Sequence, residues 1–373
     1  VADAATIALR GGILELRGRA QAATTETMGA VALAQGASFI NSVAGGTGVN
    51  SADLSLGGLT RSANATVNFT AATAGQAGSS ARIQFSSIGG TSTATAGGGL
   101  TNGIIGGWAT IGTSDFATYV PGLGIAPLGG AGAPAYATAT TITALSQPTD
   151  NIKLNTGASS VANDLTVNSL ATSNVAVGLV TIAAGKTLTI ASGGLLSFTN
   201  TTWYVGSAVD QGFLTSGGAE LFFYTQGSAT PTIRSIVKDN AGGPVALVKA
   251  GANTGALSGT NTYTGGTVVN QGTLNINAGS LVPLAADPTA GVRLNGGALV
   301  TFAAGAIAAG NTVVLNGSGS LYYFGDNTVA GLKLNNLGGT PFVRTFATNS
   351  GTGLGSRGVL TIGAGGIVAT SEN

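Results

Sequence analysis

Hydrophobic and polar residues alternate along this chain in short runs that glycine interrupts. Residues 6–16, 180–190, 292–299 and 313–321 each show such a run next to Gly-Gly, Ala-Gly or Asn-Gly. Alternation with a period of two is typical of β-strands, and glycine and asparagine supply the positive φ angles of tight turns. No stretch shows the 3.6-residue period of a capped amphipathic helix. The pattern therefore predicts an all-β chain that is nearly free of helix.

Three segments of the chain, 29–36, 178–185 and 358–365, are near-copies of one another. Short strand-turn units that recur along a chain are typical of solenoids, in which each unit stacks on the previous one. At roughly 20–25 residues per turn, the chain would make about 15–18 turns. Both end segments have the pattern of interior coils. We therefore expect residues 1–373 to form one continuous parallel β-solenoid that is a segment of a longer protein.

An antiparallel sandwich or barrel is the structural alternative, because it also consists of many short strands. Large side chains are scarce, however, with 12 Phe, 7 Tyr and 2 Trp in 373 residues. The narrow interior of a solenoid is filled well by Ala, Val, Ile, Leu and Thr, whereas a sandwich about 10 Å thick needs more aromatic residues. The aromatic content therefore favours the solenoid.

One stretch interrupts the pattern. Residues 121–137 contain three of the nine prolines among many Gly and Ala residues. Proline and glycine in this density favour turns over strands. We expect an excursion from the stack at 121–137, followed by a return to β-like structure at 138–145.

Composition narrows the range of functions. Only 7% of the residues are charged, and the chain has neither Cys nor His. A disulfide framework and a Cys/His zinc site are therefore excluded, and no cofactor is expected. The formal net charge of +1 offers no basic face for nucleic acid, and no apolar run is long enough for a transmembrane helix. So few charges give little protection against self-association, which suits a fibre or surface array.

The carboxylates are scattered singly along the chain, among them Asp150, Asp164, Asp210, Glu220 and Asp239. Cleavage of a polysaccharide needs clustered acidic or basic groups. We therefore expect that the chain is not an enzyme. A polysaccharide-degrading β-helix is kept as a remote alternative, because coils can bring distant carboxylates together.

A small aromatic cluster is the candidate for a binding site. Trp108, Phe116 and Tyr119 lie close in sequence to Asp115. Aromatic rings beside a carboxylate can bind a sugar, so these four residues are a candidate glycan contact. Aromatic side chains more often pack in a core, and packing is the favoured interpretation.

The most specific pattern in the chain lies between residues 257 and 274. It reads Leu-Ser-Gly at 257–259, Asn-Thr-Tyr-Thr-Gly-Gly-Thr at 261–267 and Gly-Thr-Leu at 272–274. This pattern resembles the signature of the autotransporter-associated β-strand repeat. The signature residues are Asn261, Thr262, Tyr263, Thr264, Gly265, Gly266, Thr267, Gly272, Thr273 and Leu274.

The resemblance implies a right-handed parallel β-helix that is exported to the bacterial surface and serves adhesion or surface architecture. From the residues themselves, Gly265-Gly266 allows a sharp corner, and Val268-Val269 resumes a strand. We expect Asn261 to stack on an asparagine of a neighbouring coil, as amides do in cross-β ladders. The alternative is that Asn261 only belongs to a favourable turn.

These observations favour a structural segment of an extracellular or cell-surface filament or stalk. Its expected partner is another copy of itself, stacked end to end or laterally. An adhesin that binds glycans or host and matrix surfaces is the alternative function. Neither a nucleic-acid partner nor a membrane-spanning segment is expected.

Overall fold

The computed structural model describes residues 3–45, 50–71, 81–155, 158–172, 179–346 and 358–371. Within these ranges the chain forms β-strands and one 3₁₀ turn, Pro288–Ala290, and no α-helix. None of the described residues belongs to a helix long and apolar enough to cross a membrane. The prediction of an all-β solenoid is confirmed. The chain divides into two compact units, Val1–Thr138 and Ala139–Asn373.

The first unit contains twelve strands among its described residues. They are β1 Ile7–Arg10, β2 Ile13–Arg17, β3 Ala23–Met28, β4 Val31–Gln35, β5 Ala37–Val43, β6 Ser51–Arg61, β7 Thr66–Ala71, β8 Ala81–Ile88, β9 Thr91–Ser92, β10 Ala109–Ile111, β11 Asp115–Val120 and β12 Gly124–Pro127.

Strands of the first unit alternate between two sheets. One sheet has the order β1-β4-β6-β8, and the other has the order β2-β5-β7-β10. All of these neighbours pair in parallel. The register places Ile7 beside Val31, Val31 beside Leu59, and Leu59 beside Ile88. Each turn therefore rests its apolar residues on those of the turn before, as in a solenoid.

Antiparallel strands follow the last parallel rung of the first unit. β11 pairs antiparallel with β10 and with β12, and β9 pairs antiparallel with β8. This pairing occupies edge groups of β8 and β10 that would otherwise be open to another strand. The predicted excursion 121–137 therefore begins inside a sheet, because β12 lies within it.

The β-like structure predicted for residues 138–145 is wrong, because this stretch forms bends and turns without a strand. Its polar side chains bond the local backbone. Ser146 Oγ accepts from Thr143 N at 3.1 Å, and Thr143 Oγ1 accepts from Leu145 N at 3.2 Å. Local bonds of this kind compete with a sheet ladder.

The second unit contains the remaining strands of the described residues. They are β13 Asn151–Leu154, β14 Ser159–Val161, β15 Leu165–Thr172, β16 Leu179–Ile182, β17 Thr187–Ser197, β18 Tyr204–Val205, β19 Phe213–Ser216, β20 Glu220–Thr225, β21 Thr232–Ile233, β22 Ile236–Val237, β23 Ala246–Ala250, β24 Thr254–Leu257, β25 Thr267–Val269, β26 Thr273–Ile276, β27 Val292–Asn295, β28 Ala298–Thr301, β29 Thr312–Asn316, β30 Ser320–Phe324, β31 Asn327–Val329, β32 Gly331–Asn336, β33 Phe342–Phe346, β34 Leu360–Ile362 and β35 Ile367–Ser371.

Two long parallel sheets contain most strands of the second unit, and β31 and β34 form a separate parallel pair. One runs β13-β15-β17-β20-β23-β25-β27-β29-β32-β35, and the other runs β14-β16-β18-β21-β24-β26-β28-β30-β33. The near-copies at 29–36, 178–185 and 358–365 contain β4, β16 and β34, so the repeated pattern does mark strands. The right-handed sense of the coil stays a prediction.

Turns of the solenoid differ in length. The separation of residues paired in parallel on adjacent turns ranges from 18 residues, between Ile152 and Leu170, to 42 residues, between Val67 and Ala109. The described strands make about 13 turns. The sequence had led us to expect roughly 15–18 turns of 20–25 residues, and the longer turns account for the difference.

Columns of aligned side chains form the interior of the second unit. In one column the aligned residues are Ile152, Leu170, Leu195, Phe223, Lys249, Val269, Leu294 and Leu315. All eight side chains are fully buried. Burying apolar surface stabilises the stack by about 25 cal/mol per Å². Lys249 is the charged member of this column.

Candidate functional site

The repeat signature occupies one corner of a turn in the second unit. It runs from Asn261 to Thr267, where β25 begins, and ends at Thr273 and Leu274 in β26. Strand β23 lies one turn earlier and β27 one turn later. The signature therefore touches a neighbouring turn on each side.

Asn261 joins three successive turns through its side chain. Its Oδ1 accepts from Val237 N at 3.0 Å, and its Nδ2 donates to Ser280 Oγ at 3.3 Å and Leu281 O at 3.2 Å. The residue is buried, and the backbone N–H of its exposed neighbour Thr262 donates to Val237 O. The prediction that Asn261 stacks on another asparagine is wrong, because its partners are backbone groups and a hydroxyl.

A carboxylate of the preceding turn holds the signature in place. Asp239 Oδ1 accepts from Thr264 N at 2.8 Å and from Val245 N at 2.7 Å. Asp239 Oδ2 accepts from Thr264 Oγ1 at 2.6 Å. Hydrogen bonds to a charged acceptor are the stronger class. In the sequence, Asp239 is one of the scattered carboxylates. It lies 25 positions before Thr264, so the sequence alone does not predict this contact.

Tyr263 fills the inside of the corner with its ring. It is 1% exposed, and its Oη lies 2.6 Å from Thr267 Oγ1. Burial raises the pKa of the Tyr263 hydroxyl. Thr267 stands in an interior column between Leu247 and Val292. Its hydroxyl is tolerated there because Tyr263 supplies a hydrogen-bonding partner.

Glycines of the signature are required by the close approach of neighbouring turns. A Cβ at Gly265 would lie 2.3 Å from Ala246 N, and a Cβ at Gly272 would lie 2.4 Å from Gly251 O. Gly266 and Gly272 also have φ angles of +92° and +66°. Side chains other than hydrogen are strained in such conformations. These positions therefore accept only glycine without distortion of the stack.

The last two signature residues extend the columns of the other sheet. Leu274 is fully buried and aligns with Gly255 and Leu299. Thr273 aligns with Thr254 of the preceding turn. Nine of the ten signature residues thus bond, align with or closely approach an adjacent turn, and Tyr263 bonds Thr267 within the corner itself.

A buried lysine ties two turns together beside the signature. Lys249 is fully buried, and its Nζ donates to Ala250 O at 2.8 Å, Gly251 O at 3.0 Å and Gln271 O at 3.2 Å. Burial lowers the pKa of Lys249 well below its usual value. The hydrogen bonds provide three acceptors for the three N–H groups of an ammonium, which offsets part of the desolvation.

An asparagine ladder runs from the next turn onward. Asn295 Nδ2 donates to Asn270 Oδ1 at 2.9 Å, and Asn316 Nδ2 donates to Asn295 Oδ1 at 2.7 Å. Asn335 Nδ2 continues to Asn316 Oδ1 at 2.8 Å, and Thr370 Oγ1 donates to Asn335 Oδ1 at 2.8 Å. Amide stacking of the cross-β kind therefore occurs, but in a different column from that of Asn261.

A signal for this ladder exists in the sequence. Each asparagine directly follows a valine or leucine near the end of a strand, as in Val269-Asn270 and Leu294-Asn295. The column becomes visible only when the register between turns is known. Because the turns differ in length, sequence periodicity alone did not align these residues.

The four residues of the candidate glycan contact occupy different environments. Phe116 and Tyr119 are buried, and Tyr119 Oη donates to Phe85 O at 3.0 Å. Asp115 Oδ1 accepts from Tyr136 Oη at 3.1 Å. Burial, together with the nearby Asp115 carboxylate, raises the pKa of Tyr136 well above its usual value. Phe116, Tyr119 and Asp115 are thus engaged in burial and hydrogen bonds within the protein itself.

Trp108 is the member of that cluster that borders a groove. The residue is half-buried, and the Arg61 guanidinium carbon lies 5.4 Å from the centre of its ring. Both residues line a groove of about 490 Å³ in the first unit. The glycan contact stays a prediction, and Trp108 is the residue on which it depends.

Several carboxylates in the described part of the chain accept hydrogen bonds from the backbone of another turn, whereas Asp53 pairs with Arg82. Asp164 Oδ1 accepts from Thr187 N at 2.8 Å, and Asp210 accepts from the backbone and the hydroxyl of Thr260. The residues that the structure describes contain no group of three or more His, Cys, Asp or Glu placed to hold a metal ion. The geometry therefore favours a structural role, in which these side chains hold successive turns together.

Comparison with known proteins agrees with this geometry. Residues 247–282 match the passenger-associated-transport-repeat family. This transport repeat contains the whole signature, and the match confirms the resemblance found in the sequence.

A longer segment of the chain is similar to the adhesin BmaC autotransporter of Brucella suis biovar 1 (strain 1330). The two are 36% identical over 118 residues, which is 31% of this chain and 3% of that protein. The chain thus spans a small part of the length of this relative. No solved structure matches the chain. The chain is thus a β-solenoid that contains one passenger-associated-transport-repeat and is similar to a short part of an adhesin autotransporter.

Proposed function

We propose that this chain is a structural segment of an autotransporter passenger that stands outside the bacterial cell as a stalk or filament. The observation that carries the proposal is the position of the transport repeat. Thr264 of the repeat donates to Asp239 on the turn before it, and Asn270 of the repeat accepts from Asn295 on the turn after it. A repeat with such contacts works as one rung of a continuous stack.

Composition supports the same function. A chain with 7% charged residues and no Cys or His has few groups for acid–base or metal chemistry. The carboxylates that could serve catalysis instead hold backbone N–H groups, as Asp164 and Asp239 do. The proposal therefore includes no catalytic step.

Self-association is the second part of the proposal. The partner is another copy of this chain, stacked end to end or laterally into a fibre. The low charge density leaves little electrostatic repulsion between copies. An adhesive role is the alternative, and the similarity to an adhesin autotransporter supports it.

Immunogold electron microscopy of intact bacteria tests the proposal. Antibodies against this chain should label thin fibres outside the cell without permeabilisation. A matched sample of permeabilised cells controls for antibody access. Label that appears only after permeabilisation would contradict the surface location, and label on the surface without fibres would contradict the filament.

A further inference from the structure

The groove beside Trp108 lies where an interior column of the first unit ends. That column runs through Leu59 and stops at Ile88, the last residue of β8. Leu59, Ile88 and Trp108 all line the groove. Its volume of about 490 Å³ falls within the range of small-molecule sites, about 300–1,000 Å³.

The lining of the groove combines apolar surface, hydroxyl groups and one charge. Leu59, Ile88 and Ile105 are apolar, and Thr91 and Thr101 supply hydroxyls. Arg61 is the charged residue among the side chains that line the groove, so the charge of the lining is positive. A pocket that is mostly apolar with a few convergent polar groups is the usual form of a ligand site.

The two side chains that dominate the groove are held in place. Arg61 Nη1 donates to Ser62 O and to Ala65 O, each at 3.3 Å. On the other side, Gly106 packs so closely on the indole that a Cβ there would lie 2.3 Å from Trp108 Nε1. Groups that are ordered before a ligand arrives lose less entropy on binding.

We propose that this groove binds an acidic sugar, a pyranose that carries a carboxylate. The C–H face of the sugar packs against the Trp108 indole and the apolar floor. Its carboxylate pairs with the planar guanidinium of Arg61, which suits carboxylates better than an ammonium does. The hydroxyls of Thr91 and Thr101 bond the sugar hydroxyls.

The choice of a sugar over a nucleotide rests on the proposed extracellular location, where glycans are the abundant anionic rings. The stalk function itself requires no ligand. Binding can be measured on the purified chain, so failure of the sugar proposal and failure of the surface location are distinguishable.

Two tryptophans make the binding test specific. Trp108 borders the groove in the first unit, and Trp203 is fully buried in the second. In a ¹H–¹⁵N spectrum, the Trp108 indole is the reporter and the Trp203 indole is the internal reference. The probes are trigalacturonate and 3′-sialyllactose, which represent two sources of acidic sugar, with lactose and inorganic phosphate as controls.

We expect at least one acidic sugar to shift the Trp108 signal while the Trp203 signal stays in place. Lactose and phosphate should bind at least about ten-fold more weakly, a difference of about 1.4 kcal/mol. The proposal is overturned if neither acidic sugar moves the Trp108 signal, or if lactose or phosphate binds as tightly.

Substitutions separate the role of Arg61 from a general effect of charge. Arg61→Gln should weaken acidic-sugar binding at least ten-fold, about 1.4 kcal/mol. Arg234→Gln is the matched control, because Arg234 lies 3.3 Å from the ring centre of Tyr204 in the other unit. Equal weakening by both variants would refute the site.

A substitution at the edge of the groove tests the site without removing the contacts that hold Arg61 in place. Thr91 is exposed, so Thr91→Glu should fold normally and place a negative charge at the groove. We expect Thr91→Glu to bind the acidic sugar at least ten-fold more weakly than Thr91→Gln, about 1.4 kcal/mol, because both variants lack the hydroxyl and only the first adds a repelling negative charge. Unchanged binding by Thr91→Glu would also refute the site.

Discussion

Replacing Lys249 by methionine tests how the interior of the solenoid accommodates an amine. Methionine has a similar length and an apolar end, so it keeps the volume of the column between Phe223 and Val269. The substitution removes the hydrogen bonds from Nζ to three backbone oxygens, and it also removes the desolvation of a buried charge. These two effects oppose each other, so the informative quantity is their dependence on pH.

The sign of this dependence follows from the two states of the lysine. The unfolded chain holds the amine in water with a pKa of about 10.4, whereas burial lowers the pKa in the folded chain. Between those two pKa values the unfolded state binds more protons, so the free energy of unfolding rises with pH. For one proton the slope reaches about 1.4 kcal/mol per pH unit. Below the folded pKa both states are protonated, and the slope disappears.

Urea unfolding of the full chain measures this slope, with the fluorescence of the buried Trp203 reporting on the second unit. The free energy of unfolding is compared between wild type and Lys249→Met from about pH 6 to pH 10, below the usual lysine pKa. Subtraction cancels the titration of all other groups. We expect the wild type to gain stability relative to the variant as pH rises.

The half-exposed Lys186 supplies the control for net charge, through Lys186→Met. A difference between wild type and Lys249→Met that does not change with pH would refute the reasoning about burial. A decrease with rising pH would refute it as well, since the sign would be opposite.

Three further substitutions test contacts between turns, each by urea unfolding. Asp239→Ala removes the acceptor of three hydrogen bonds and should destabilise the second unit by about 2–4 kcal/mol. A loss below about 0.5 kcal/mol would contradict a stabilising role of these bonds. Gly265→Ala should lower the free energy of unfolding by about 1–3 kcal/mol, because the new Cβ would collide with the backbone of Ala246. Gly218→Ala, whose Cβ would have its nearest atom at 4.0 Å, should be nearly neutral, and equal effects of the two variants would contradict the close approach at Gly265. Asn295→Ala interrupts the asparagine ladder in its middle and should cost about 1–3 kcal/mol; unchanged stability would show that the ladder contributes nothing.

The strands were predictable because each strand carries its own evidence in the sequence. In β27 the side chains of Val292 and Leu294 are buried, and those of Arg293 and Asn295 are half-buried, as alternation requires. Pairing direction leaves no such local trace. The antiparallel strands β11 and β12 were therefore not foreseen, and β12 lies within the predicted excursion 121–137.

The roles of the site residues depended on register, which the sequence does not contain. Alternation alone places Lys249 on the same side as Leu247, which is fully buried. Its charge argues for the opposite side, and only the three backbone oxygens around Nζ resolve the conflict. The bond from Thr264 to Asp239 was hidden for the same reason.

The central structural claim is that successive turns of the second unit stack in parallel and in register. The natural chain has no cysteine, so two introduced cysteines report one distance. Arg293 pairs with Val314 on the next turn, and Val314 pairs with Lys333 on the turn after that. Adjacent rungs lie about 4.8 Å apart, within the Cα separation of a disulfide, whereas two rungs lie about 9.6 Å apart and outside it.

Oxidation of two double variants, followed by non-reducing mass analysis, tests this claim most directly. We predict that Arg293→Cys with Val314→Cys forms an intramolecular disulfide in nearly all molecules. Arg293→Cys with Lys333→Cys, one rung further away, should remain reduced. Failure of the first pair, or equal oxidation of both pairs, would contradict the stacking of these turns.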